Sequence, residues 1–107
     1  MKIKTSELIG AALDWAVAKC EGMEFDLAPD GYYIYKPSSN WAMGGPIIER
    51  EQINLWTEGY AAWEATQYGK WQEWGPTALI AAMRCYVGTK LGNEVEVPDE
   101  LLQGETK

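Results

Sequence analysis

The sequence contains no histidine. A serine or cysteine nucleophile therefore lacks its usual imidazole base, and a zinc site loses its commonest nitrogen ligand. Cysteine is nearly absent too: Cys20 and Cys85 stand far apart with no CxxC spacing, and each falls in an expected helix, where a reduced thiol behaves as a small apolar residue. No run approaches the roughly 18 consecutive apolar residues of a membrane span. The opening MKIKTSELIG lacks a signal-peptide apolar region, so the cytoplasm is the expected compartment and no membrane partner is expected. Arginine occurs only at Arg50 and Arg84, and net charge is −7. That balance argues against a nucleic-acid polymer as partner, because affinity there comes from Lys and Arg neutralising phosphates. It favours solubility, or attraction to a basic partner.

What is present reads as one globular domain. Hydrophobic residues make up 47% of 107 and charged residues 23%, enough for a modest core. The core is expected over about 5–98, with 99–107 as a polar, acidic tail. The clearest element is Gly75 to Gly92, which has a start signal at Pro76 or Thr77 and a stop signal at Gly92. Leu79, Ile80, Met83, Tyr86, Val87 and Leu91 recur three or four apart and place one apolar face on this helix. Arg84 lies beside that face.

Upstream, Thr5 is expected to cap a helix over Ser6 to Glu21, closed by Gly22. Its small residues Gly10, Ala11, Ala12, Ala16 and Ala18, with Ala78, Ala81 and Ala82 of the last helix, predict close packing between the two. Pro29 to Gly31 read as a turn and Tyr32 to Tyr35 as an edge strand. Lys36 to Gly45 reads as loop and Pro46 to Glu51 is ambiguous: Gly45 and Pro46 can start a short helix through Glu51 that leaves the amides near Gly44 and Gly45 unpaired, an anion-accepting geometry, or they can form a plain turn. Ile53 and Leu55, then Trp63 and Ala65, alternate around a turn at Thr57 to Tyr60 and predict a hairpin. Tyr68 to Gly75 reads as an exposed connection, and Val95 to Val97 as a short strand. The expected class is α+β: two principal helices packed on a three- to four-stranded, mainly antiparallel sheet.

SELIGAALDWAVAKCEG (Ser6 to Gly22), GGPIIERE (Gly44 to Glu51) and GPTALIAAMRCYVGTKLGNEVEVP (Gly75 to Pro98) together resemble the NinX-like family of small proteins carried by lambdoid and related phages. The resemblance implies a phage accessory protein made in the host bacterial cytoplasm; it implies no particular activity. Asn54 to Trp74 carry the least common pattern, so roles there rest on the residues themselves.

Six tryptophans and six tyrosines stand against a single phenylalanine. Trp and Tyr carry a polar group that wants a partner and are favoured at recognition surfaces. This surplus predicts a binding protein, not an enzyme, and no cofactor. The candidate ligand-binding set is Asn40, Trp41, Gly44, Gly45, Arg50, Trp71, Trp74 and Arg84. If the two guanidiniums and the glycine amides converge, they form an anion pocket roofed by Trp41. The alternative is that Arg84 pairs with Glu49 or Glu51 and locks the short helix onto the last one. The leading functional expectation is counteraction of a bacterial defence or regulatory pathway by sequestering a small anionic, nucleotide-like ligand. The competing one is a protein-binding inhibitor or adaptor using acidic surface and loop aromatics on a host protein. A hydrolase using Glu49 and Glu51 as acid and base is third. A homo-oligomer building a pocket between subunits is compatible with either binding reading.

Overall fold

The computed structural model describes residues 1–23, 35–57, 59 and 62–101. In chain order these form β1 (Lys2–Lys4), a 3-10 turn (Thr5–Glu7), α1 (Gly10–Cys20), α2 (Trp41–Glu51), β2 (Asn54–Thr57), β3 (Trp63–Gln67), β4 (Trp71–Gly75), α3 (Ala78–Leu91), β5 (Glu94–Glu96) and a second 3-10 turn (Asp99–Leu101). Strands β2, β3 and β4 make an antiparallel sheet in that spatial order, while β1 and β5 pair as a separate antiparallel ribbon. The expected α+β class is found, with α2 as a third helix.

Helix α3 forms where its start and stop signals place it. Thr77 Oγ1 accepts the Ile80 amide at 3.1 Å, and Gly92 ends the helix at φ 90°, a region open to glycine at little steric cost. Its packing departs from a single stripe: Ala81, Ala82, Cys85 and Gly88 are buried together with Leu79, Met83, Tyr86 and Val87. The cause is its central position, packed against the three-stranded sheet, α1 and α2 at once. Expected close packing of α1 on α3 is observed, with Ala12, Ala16, Ala81 and Ala82 all in the core. Both thiols are pushed up to about 12 by burial, as apolar surroundings do.

The N-terminal lead is a strand, and this changes the role of Thr5. Pairing of Ile3 with Val95 carries the chain to Thr5, whose amide donates to Asn93 O at 2.8 Å and whose hydroxyl donates to Gly92 O at 2.5 Å. Thr5 thus ties the lead to the end of α3 instead of capping a helix, and α1 begins only at Gly10, after an extended Ile9. The last strand is displaced one residue from expectation, to Glu94–Glu96. Beyond it Leu101 returns to the core, 5% exposed.

Helix α2 begins at Trp41, earlier than expected. Asn40 Oδ1 accepts the Ala42 amide at 2.8 Å, supplying the cap that starts the helix upstream of Pro46. The hairpin of β2 and β3 is found, but Tyr68 to Gly75 is not a connection. Tyr68 (φ 48°) and Gly69 (φ 70°) form the turn of a second hairpin, closed by the Lys70 amide on Gln67 O at 2.7 Å. Two left-handed residues match the twist of paired strands, and β4 follows. Expected features at Pro29 to Gly31 and Tyr32 to Ile34, and Glu58 and Tyr60 of the first turn, lie outside the described residues.

Candidate functional site

The two arginines serve different parts of the fold. Arg50, at the end of α2, directs Nη1 and Nη2 to the two carboxylate oxygens of Glu21 at 3.1 and 2.6 Å, and Nε to Glu51 at 2.8 Å. Tyr86 OH accepts a further bond from Nη2 at 3.2 Å and donates to Glu21 at 2.5 Å. The Arg50 guanidinium holds Glu21 and Glu51 below the usual carboxylate range, as hydrogen bonds to a charged form do. Arg84 instead donates Nε to Leu8 O and Nη1 to Trp74 O, both at 2.8 Å, and burial lowers its pKa. Arg84 therefore clamps the chain before α1 to the end of β4. It does not pair with Glu49 or Glu51; the carboxylate lock on α2 belongs to Arg50.

Around Asn40 the expected anion-accepting amides are used by the helix. Gly44 N donates to Asn40 O at 2.9 Å, and Gly45 lies one residue further into α2. Gly44 has a packing reason: a Cβ there would collide with Pro37 O and the Leu79 side chain. Glu49 and Glu51 sit on one helix at i, i+2, which directs them to different faces. Among the described residues no three His, Cys, Asp or Glu side chains gather as a metal site, and no helix is long and apolar enough to cross a membrane.

The expected aromatic candidates separate into three environments. Trp41 opens α2 and is 57% exposed. Trp71, on β4, is half-buried against α3, its Nε1–H donating to the buried Glu73 carboxylate at 2.9 Å. It crosses the helix at Gly88, where a Cβ would strike the indole. Trp74, also on β4, faces the other way and is 52% exposed.

Strand alternation explains that division and brings out a candidate surface that the sequence reading missed. Leu55, Ala65 and Glu73 form one cross-strand row facing the helices; the next row, Trp56, Glu64 and Trp74, faces solvent. Trp56 is 57% exposed. Its register partner is Glu64, and Glu64 is in turn the register partner of Trp74. The neighbouring outward row is Asn54, Thr66 and Gln72, of which Gln72 Nε2 donates to Glu64. Two large indoles thus flank one carboxylate across a sheet face with a polar border. The sequence signal for this strand was weak: in W-Q-E-W-G the indoles stand three apart and do not alternate, so only Gly69 and the β-favouring tryptophans pointed to a second hairpin, and nothing local set Trp74 outward.

A family model described as bacteriophage P22 NinX matches residues 4–90. No curated protein matches the chain.

Proposed function

Since the chain belongs to the bacteriophage P22 NinX family, we propose that it works in the infected bacterium as a protein-binding inhibitor or adaptor, docking a host protein on the outward face of the β2–β3–β4 sheet. The observation that carries this reading is Trp56 and Trp74, more than half exposed in one row of one face. Exposed indoles bury large apolar area when covered and dominate many interfaces. Neither is needed by the fold's own core, so their cost in exposed apolar surface is offset only when a partner covers them. A nucleotide pocket built on Arg50, Arg84 and the Gly44 amide is less favoured, because these groups already have partners in separate places. Counteraction of a host defence or regulatory pathway is the biological role this binding would serve.

The test is a photo-crosslinker introduced in place of Thr66, on the docking face, and separately in place of Glu49 on α2, in cells producing the protein during infection. The expected result is one discrete adduct from position 66, lost when Trp56→Ala and Trp74→Ala are combined, and absent from position 49. Equal adducts from both positions, or an adduct indifferent to the two tryptophans, would overturn the reading.

A further inference from the structure

We infer that the Trp56–Glu64–Trp74 row is a receptor for a basic side chain, a lysine or arginine presented by the partner protein. The inference rests on the docking face proposed above and names its chemistry. Adjacent strands lie about 4.8 Å apart, so Trp56 and Trp74 originate about 10 Å from each other with Glu64 midway. An indole face attracts a cation through its quadrupole, most strongly of the aromatic side chains. A carboxylate between two such rings adds full charge and hydrogen-bond acceptors at the same place, and an arginine can take both oxygens with two parallel bonds.

Charge selects this occupant over the others a tryptophan-rich sheet could take. Among the described residues no cation forms an ion pair with Glu64; its hydrogen bond comes from Gln72, a neutral donor. A stacked nucleotide would bring its phosphate to that carboxylate, and an acidic peptide would meet like charge, both against a molecule of net charge −7. A second copy would set Glu64 against an equally acidic surface. A basic segment is drawn by the long-range field and held by the row itself.

Titration of nitrogen-15-labelled protein with hexa-arginine, hexa-lysine, hexa-glutamate and a neutral glycine–serine hexapeptide tests this, read on the indole N–H resonances. The expected result is saturable movement of the Trp56 and Trp74 signals with the two basic peptides only, while Trp15, Trp63 and Trp71 stay in place. Glu64→Gln should weaken binding about fivefold, with an unchanged melting temperature. Glu94→Gln, an equal charge change on β5, should leave it nearly unaffected. Equal losses from the two variants, no response of Trp56 and Trp74, or equal response to hexa-glutamate would overturn the inference. The crosslinking experiment separates the two levels: an adduct that survives Glu64→Gln but not the double tryptophan change retains the docking face and rejects the cation receptor. Loss of both dependences rejects both.

Discussion

Gly88 sits where the Trp71 indole crosses α3, and a side chain of any size there would occupy the ring's position. Two effects oppose each other in Gly88→Ala. Helix propensity favours alanine by up to about 1 kcal/mol, whereas overpacking a rigid contact costs about 1–3 kcal/mol. The indole is anchored by its bond to Glu73, so displacement is costly and net destabilisation is expected. A denaturant midpoint above the parent's would show that Trp71 does not pack there. Asp14 offers a second residue-scale test. Asp14 is 4% exposed and its carboxylate accepts the Ser38 amide at 2.8 Å; burial raises its pKa above the ordinary value, the Ser38 bonds opposing. A carboxyl raised on folding contributes stability below its unfolded pKa and loses it as pH rises through the folded value. Asp14→Asn keeps an acceptor without the charge, so it should gain stability at pH 7 relative to the parent and little at pH 3. Asp14→Ala, which orphans the Ser38 amide, should lose about 1–3 kcal/mol at both.

At the scale of elements, Arg50 joins three helices through Glu21 beyond the end of α1, Glu51 on α2 and Tyr86 on α3. Both carboxyls are held low by the guanidinium first of all. Their contribution is therefore present above the unfolded carboxylate pKa and lost as pH falls through the folded values. Arg50→Met, which keeps the apolar stem, should cost about 1–2 kcal/mol at pH 7 after allowance for the half-exposed arginine. It should also flatten stability loss in acid; urea midpoints at pH 7 and pH 3.5 measure this, and parallel losses at both would exclude the ion pairs as the cause. Sequence reading located α3 because Thr77 and Gly92 are local signals acting within one turn. It misplaced the start of α2 because Pro46 outweighed Asn40 as a signal, although the cap acts first along the chain. It could not assign Glu21 as a partner of Arg50, since that carboxylate lies 29 residues away and only the packing of α1 and α2 on α3 brings them together. Trp74 was recognised as a binding candidate, but Trp56 was not: until β4 is seen as a strand, nothing aligns the two indoles.

Across the whole molecule, α3 is the shared wall: the sheet, α1 and α2 all pack on it, and Thr5 ties the β1–β5 ribbon to its end. Its sequence reflects that position: Ala81, Ala82, Cys85 and Gly88 make one face of small residues and Leu79, Met83, Tyr86 and Val87 an opposite face of larger ones, and both faces are buried. Small domains whose parts share one core unfold in a single step, and this sharing predicts that sheet and helices melt together. Met83, fully buried in the middle of α3, is the sharpest probe. Met83→Ala should cost about 2–5 kcal/mol and move the helical circular-dichroism transition and the tryptophan-fluorescence transition, which is weighted by sheet indoles, by the same amount. The combined Trp56→Ala and Trp74→Ala change should move neither by more than about 1 kcal/mol, because both rings already face water. A large loss from that exposed pair would mean the outward face is held by the fold's own contacts, and the indoles could then no longer be assigned to a partner. A Met83→Ala transition that splits between the two probes would mean that the sheet holds together without α3, leaving the proposed docking face a unit of its own instead of one surface of a single cooperative body.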